Sequence, residues 1–196
     1  MTRLPKLIAF DLDGTLWWPE MYMLDGGAPF RRDKSGAVFD KRNERIELMG
    51  ASEAVLRELA TDPKWRDTEI AYVSRTEYPE WAIPCLKTFL VNNGGGAEGG
   101  DSNGSGSGNG SKDGRNLLDI SSYQEIYPGS KITHFKKIHK DSGVAYEDML
   151  FFDNEKWNCT ECSRLGIVCV YTPRGLTKEA WERGLADFAT AQASRQ

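Results

Sequence analysis

The sequence predicts an α/β protein whose 196 residues form one domain around a doubly wound, mostly parallel sheet. Three short apolar runs indicate buried strands, at Leu7–Phe10, Glu69–Ser74 and Met149–Asp153. Helical patterns separate these runs, and strands that alternate with helices form parallel sheets. Each run ends in polar side chains, and right-handed crossovers bring such ends to one edge of the sheet. A functional site is therefore expected at that edge.

The first strand runs directly into two carboxylates, Asp11 and Asp13, before Gly14 breaks the strand pattern. Side chains alternate along a strand, so both acids begin on the same side of its C-terminal end, where open α/β sheets bind ligands. Two carboxylates this close repel each other unless a cation lies between them or one of them holds a proton. The alternative is an ordinary acidic turn. Partners elsewhere in the chain decide between the two interpretations.

The segment that follows the first strand predicts only a small insertion. Residues 37–39 and 45–48 are short patches that are expected to pair as a hairpin. A helix is then predicted over residues 52–60, with Ser52 placed to cap it. This gap between strands has room for a hairpin but not for a further domain.

The second strand ends in Ser74, which Arg75 follows. A helix is predicted over residues 80–91, and Pro84 requires it to start nearby or to bend. Over residues 92–116 the composition changes to Gly, Ser, Asn and Asp, which predicts a flexible insertion in the single domain. A tether or a lid is the functional alternative for this insertion.

A lysine begins the next predicted helix. A short strand is expected within residues 117–126 and a turn at 127–129, after which Ser130 caps a helix with its apolar side chains at helical spacing, Ile132, Phe135 and Ile138. Lys131 falls in the first turn, where the positive end of the helix dipole disfavours a cation. This placement indicates that an anion lies beside Lys131.

The third apolar run ends in Asp153. A helix closed by Gly166, a strand over residues 167–171 and a last helix capped by Thr177 are predicted after it. The last helix carries apolar residues on one face, Trp181, Leu185 and Phe188. Three strand ends thus supply carboxylates and a hydroxyl to one edge of the sheet.

Composition excludes several classes of function. The net charge is −4 with the basic residues spread along the chain, which argues against a nucleic-acid groove or an anionic membrane surface. The apolar runs are far shorter than the roughly 20 residues that span a bilayer, and the amino terminus lacks an apolar signal core. The four cysteines are too sparse for a disulfide framework and indicate reduced thiols. A cytoplasmic monomer is expected.

Two pairs of potential metal ligands are interpreted as structural. Cys159 and Cys162 form a CxxC on a predicted helix without a second pair at ligand spacing, so buried thiols are favoured over a zinc or redox site. His134 and His139 lie five residues apart on another helix and point in different directions. Both histidines are expected on the helix surface.

Four motifs, FDLDGTLW, VSRT, EIYPGSKITHF and FFDNEKWN, resemble the haloacid dehalogenase superfamily of phosphatases. The closer resemblance is to the eukaryotic-type magnesium-dependent phosphatases, an acid phosphatase family. It extends over nearly the whole chain apart from the Gly/Ser insertion. The resemblance implies a Mg²⁺-dependent hydrolase of phosphomonoesters.

The resemblance also implies the roles of the acids. Asp11 would be the nucleophile and form an aspartyl-phosphate, and Asp13 would be the general acid of the first step and the base of the second. Mg²⁺ would be held by Asp11, the backbone carbonyl of Asp13 and Asp153, an all-oxygen site that suits this ion. The substrate phosphate would be bound by polar and cationic side chains, Ser74, Arg75 and Lys131.

The sequence departs from the family pattern at Asn154, where many relatives carry a second acid. A weaker Mg²⁺ site follows, and a phospho-ligand-binding module with little or no catalysis is the alternative function. Dehalogenation is disfavoured because a dehalogenase needs neither Asp13 nor a metal.

Without a cap domain the site would be open, which suits phosphotyrosine proteins or phosphorylated sugars of the fructosamine type. Of Trp17 and Trp18, one is expected in the core and the other as an aromatic wall beside the substrate.

Overall fold

The structure, a computed structural model, describes residues 3–91 and 114–195. These residues form nine strands and five α-helices. The strands are β1 (Leu7–Phe10), β2 (Trp17–Trp18), β3 (Arg31–Arg32), β4 (Val38–Phe39), β5 (Arg45–Leu48), β6 (Glu69–Ser74), β7 (Tyr123–Ile126), β8 (Met149–Asp153) and β9 (Val168–Tyr171). The helices are α1 (Ser52–Thr61), α2 (Pro79–Thr88), α3 (Lys131–Ser142), α4 (Lys156–Ser163) and α5 (Lys178–Ala193).

The central sheet is entirely parallel, in the order β7-β6-β1-β8-β9, which confirms the predicted fold class. Strand β1 lies in the middle, with Phe10 opposite Tyr72 on one side and Phe152 on the other. Ile8 and Phe10 belong to one buried apolar cluster, whereas Leu7 and Ala9 belong to a second. Because side chains alternate along a strand, both faces of the sheet are covered.

The insertion after β1 is larger than the predicted hairpin. The hairpin is present, with Val38 of β4 opposite Ile46 of β5. Strands β2 and β3 flank it and complete a four-stranded antiparallel sheet in the order β2-β5-β4-β3. The flanking strands have two residues each, too few to show the alternation by which a strand is recognised in a sequence.

The predicted cap of α1 and the predicted end of α2 are wrong in detail. Ala51, not Ser52, is the N-cap of α1, and the Ser52 hydroxyl is buried without a hydrogen-bond partner among the described residues. Helix α2 begins at Pro79, which suits a first-turn position because no backbone N–H is needed there, and it ends at Thr88. Pro84 lies inside this helix.

Most of the predicted Gly/Ser insertion, and with it the tether or lid, lies outside the described residues. The predicted boundary at residue 116 extends too far, because Asn116 forms a β-bridge with Leu90. The N–H of Val91 also donates to the carbonyl oxygen of Arg115 at 2.7 Å. The two ends of the segment are therefore held together by the domain.

Helix α3 begins as predicted, because the Ser130 hydroxyl accepts a hydrogen bond from the N–H of Thr133 at 3.1 Å. His134, however, is fully buried with its ring edge-on to Tyr127, whereas His139 is half-buried. Because the two histidines lie five residues apart on the helix, their side chains point in different directions, and that of His134 points into the core. No helix in the described part of the chain is long and apolar enough to cross a membrane.

Candidate active site

The carboxyl ends of the central strands bring together all six side chains that the sequence predicts for the site. They surround a pocket of about 270 Å³. Five of them line it, and Asp153 is completely buried beside Lys131. The lining residues of this set are Asp11, Asp13, Ser74, Arg75 and Lys131. Residues separated by more than a hundred positions meet here because β1, β6 and β8 are neighbours in the sheet.

Lys131 is the electrostatic centre of the site. It is 1% exposed, and its Nζ donates to Asp11 Oδ1 at 2.5 Å and lies 3.3 Å from Asp153 Oδ2. It also donates to the carbonyl oxygen of Val73. Burial alone would lower the pKa of Lys131, but the two carboxylates outweigh it and hold that pKa above its usual value. The anions predicted beside this lysine are therefore Asp11 and Asp153.

A tight turn places Thr15 against Asp11. The Thr15 hydroxyl lies 3.1 Å from Asp11 Oδ2 and accepts a hydrogen bond from the N–H of Asn154 at 3.0 Å. Gly14 has a φ of 69°, and a Cβ at this position would meet the Asn154 side chain at 2.3 Å. Glycine adopts this left-handed backbone without strain and leaves room for the Asn154 side chain. The turn thus links the ends of β1 and β8.

Asp13 is held by two N–H donors, a feature that the sequence analysis missed. Its Oδ1 accepts from the indole Nε1 of Trp17 at 2.7 Å and from the backbone N–H of Met21 at 3.0 Å. Burial raises the pKa of Asp13 to about 6, against the opposing effect of the Trp17 hydrogen bond, and the neighbouring Asp11 raises it further. A carboxyl group with a pKa of about 6 can both donate and accept a proton near neutral pH.

Asp153 is oriented by the helix that follows it. The Nδ2 of Asn158 donates to both of its carboxylate oxygens, at 3.0 and 3.2 Å, and the N–H of Glu155 donates to Oδ1 at 2.6 Å. Burial and the charge of Asp11 raise the pKa of Asp153 to about 7, although Lys131 opposes this shift. The asparagine at position 158 stood in a recognised motif, but only the fold shows that it holds Asp153.

A model of the acid phosphatase family matches residues 3–191 of the chain. The chain belongs to this family. It is 32% identical over 194 residues to magnesium-dependent phosphatase 1 of Homo sapiens, which covers 98% of the chain and 92% of the relative. It is 31% identical over 167 residues to a HAD-like hydrolase superfamily protein of Schizosaccharomyces pombe, with 83% of each covered.

This chain of the acid phosphatase family shares its fold with solved structures. A HAD family enzyme of Bacteroides thetaiotaomicron in a magnesium complex superposes with a TM-score of 0.55 at 12% identity, over 92% of this chain and all of that chain. The N-terminal part of a Bacteroides fragilis protein, which contains a phosphatase domain complexed with Mg, superposes with a TM-score of 0.54 at 13% identity. That alignment covers 94% of this chain but only 40% of the other.

The side chains that are predicted to hold a metal in this acid phosphatase family member do not form a cluster of three. In the described part of the chain, no three His, Cys, Asp or Glu side chains converge as metal ligands. Asp11 and Asp153 converge on Lys131, and the carboxylate of Asp13 is turned to Trp17 instead. The buried Oδ1 of Asn158 has no partner among the described residues. Two carboxylates and neutral oxygens fit Mg²⁺, which retains several waters.

The mouth of the pocket is aromatic and acidic. Arg75 donates from Nε to the carbonyl oxygen of Gly129 at 2.6 Å, and its guanidinium lies 4.4 Å from the centre of the Trp157 ring. Trp17 is buried in the core as expected for one of the tryptophan pair, but Trp18 is exposed and does not line the pocket. The aromatic lining comes from Tyr22 and Tyr78, and acidic side chains complete the mouth, Glu20, Glu77 and Glu155.

Proposed function

We propose that this protein is a Mg²⁺-dependent phosphomonoester hydrolase that acts through an aspartyl-phosphate on Asp11. One observation carries the proposal: Asp11, paired with a buried lysine, and Asp13, with a pKa of about 6, share one pocket. Phosphoryl transfer needs a nucleophile, charge neutralisation and a proton for the leaving oxygen, and these groups supply all three. The name of the human relative, magnesium-dependent phosphatase 1, supports metal-dependent phosphate hydrolysis.

The proposed reaction has two steps. A carboxylate oxygen of Asp11 attacks the phosphorus while the bond to the ester oxygen breaks, and Asp13 gives its proton to that departing oxygen. A water molecule then attacks the phosphorus of the aspartyl-phosphate, and Asp13 takes the proton of this water. Phosphate leaves and Asp11 is restored as a carboxylate. Lys131 and the Ser74 hydroxyl hold the phosphoryl oxygens, with Arg75 at the edge of the pocket.

Asp11, the backbone carbonyl of Asp13 and Asp153 would hold Mg²⁺. When bound, the ion supplies positive charge that lets an anionic nucleophile approach an anionic phosphate. Asn154 adds an amide instead of a second acidic side chain at this edge, so the ion is bound more weakly than by a pair of acids. Its backbone N–H nevertheless supports Thr15, which contacts Asp11.

The proposed substrates are phosphate esters whose bulk remains outside the pocket, either phosphotyrosine proteins or phosphorylated sugars of the fructosamine type. The first insertion forms the small four-stranded sheet, and we infer an open site without a cap domain. The pocket of about 270 Å³ accommodates the phosphate and its first attached group. Tyr22 and Tyr78 supply apolar surface for that group.

Hydrolysis of p-nitrophenyl phosphate tests the proposed reaction. We expect turnover in Mg²⁺ that is lost in excess EDTA and recovered when Mg²⁺ is restored. Unchanged turnover in the chelator would contradict the metal dependence. The absence of turnover with every divalent metal, combined with binding of inorganic phosphate, would favour the phospho-ligand-binding module. In that case Asn154→Asp should create activity if the missing acid is the cause.

Mg²⁺ should stabilise the protein more strongly above pH 7 than at pH 5. The pKa of Asp153 is raised to about 7 in the metal-free fold, so the stability that its neutral form contributes is present at low pH and is lost as the pH rises through about 7. Mg²⁺ requires the ionised carboxylate, and its binding offsets this loss only at the higher pH. Thermal unfolding with and without Mg²⁺ at the two pH values measures the effect. Asp153→Asn should abolish it, and an equal shift at both pH values would refute it.

A further inference from the structure

The side chain of Trp17 lies in the core but makes one polar contact with the active site. Trp17 is completely buried, stacks on Phe89 with ring centres 6.5 Å apart, and pairs with Leu48 in the small sheet. Its indole N–H nevertheless points to the active site and donates to Asp13 Oδ1 at 2.7 Å. A buried N–H must find an acceptor, and here the acceptor is the proposed general acid.

The second donor to Asp13 comes from the same insertion. The backbone N–H of Met21, at the start of a short 3-10 turn, donates to Oδ1 at 3.0 Å. Oδ1 thus accepts two hydrogen bonds, and neither the indole N–H nor the backbone N–H that donates them can accept a proton from Asp13. Among the described residues, Oδ2 of Asp13 has no hydrogen-bond partner, and Asp13 lines the pocket. Oδ2 is therefore the carboxylate oxygen that remains available to face a substrate.

We infer that Trp17 is a positioning residue for proton transfer: its indole N–H, with the N–H of Met21, fixes Asp13 so that Oδ2 delivers the proton to the leaving oxygen. This role rests on the proposed phosphatase function. It also assigns a role to the four-stranded sheet, because β2 carries the indole of Trp17 and the 3-10 turn after it carries the N–H of Met21. Rigid packing of the ring against Phe89 keeps the donor in place.

The dependence of the rate on the leaving group tests this role. A p-nitrophenolate departs with little need of a proton, whereas an alkoxide departs only when it is protonated. Trp17→Phe keeps an aromatic ring but removes the N–H. We expect it to lower kcat/KM for an alkyl phosphate by about tenfold or more, and that for p-nitrophenyl phosphate by less than about threefold. The ratio kcat/KM includes only the steps up to departure of the leaving group.

Trp65→Phe is the matched control. Trp65 is also buried and donates from Nε1 to a carboxylate, Glu58 Oε1 at 3.0 Å, but it does not line the pocket. It should lower both kcat/KM values to the same small extent. If Trp17→Phe does not fold, benzothienylalanine at position 17 replaces only the N–H by sulfur and keeps the shape of the ring.

A double-mutant comparison with Asp13→Asn decides whether Trp17 acts through Asp13. Asp13→Asn removes the proton donor, so adding Trp17→Phe to it should change the ratio of the two kcat/KM values no further. Equal losses on both esters, or a further change of the ratio in the Asp13→Asn background, would overturn the role of Trp17 while wild-type turnover leaves the proposed function standing. A wild-type protein without turnover would overturn the proposed function and this role together.

Discussion

Asp11→Asn should reduce the turnover of p-nitrophenyl phosphate by more than about a thousandfold, because the reaction loses its nucleophile. An amide oxygen can still accept from Lys131, which keeps its other contacts to Asp153 and to the Val73 carbonyl. The substitution also removes one of two repelling carboxylates. We therefore expect a folded protein with a melting temperature close to that of the wild type.

Trapping of the intermediate distinguishes a nucleophile from a residue that only binds the metal. The wild-type protein, mixed with a substrate labelled in its phosphate group and quenched in acid, should retain label on the protein, and Asp11→Asn should retain none. Asp33→Asn is a suitable control, since Asp33 is exposed in the turn between β3 and β4 and does not line the pocket. Turnover near the wild-type rate in Asp11→Asn would eliminate Asp11 as the nucleophile.

Lys131→Met should abolish turnover and also destabilise the protein. The lysine is 1% exposed, and its removal leaves the buried carboxylates of Asp11 and Asp153 without their cation. Breaking a buried ion pair by removing one partner typically costs about 3 to 5 kcal/mol. Chemical denaturation of the metal-free proteins measures this loss. Mg²⁺ should restore more stability to the variant than it adds to the wild type, because it supplies the missing positive charge.

Lys137→Met is the matched control on the same helix. Lys137 pairs with Asp141 and Glu125 but has an exposed side chain, and solvent screens such pairs so that they contribute little to stability. A small change in stability and normal turnover are expected. If Lys131→Met were as stable as Lys137→Met and retained turnover, Lys131 would be neither the counter-ion of the two acids nor a phosphate ligand.

The sequence predicted the parts of the site that depend on strand order. Apolar runs that end in Asp11, Ser74 and Asp153 could be recognised because a buried parallel strand is apolar on both faces and its polar residues collect at its end. Lys131 could be recognised from its unfavourable place in the first turn of α3. The sequence predicted an anion beside Lys131, and the structure identifies the partners as Asp11 and Asp153.

The residues that orient these groups were not predictable in the same way. Asn158 is one of several polar residues after β8, and nothing in its spacing singles it out as the donor to both oxygens of Asp153. His134 and Trp18 were each placed wrongly relative to solvent or the pocket. Whether one face of a short helix or strand is covered depends on which distant element packs on it, and local periodicity does not contain that information.

The sequence by itself determined the parallel α/β fold, the acids at the carboxyl edge of its sheet and the family to which the chain belongs. Only the tertiary structure decided how those acids are held: Lys131 between Asp11 and Asp153, and Trp17 with its N–H on Asp13. The physical reason is the separation in sequence of the residues that determine each property. Strand and helix formation follow from side chains a few positions apart, whereas the direction of a hydrogen bond and the burial of a charge are set by packing between elements far apart in the chain.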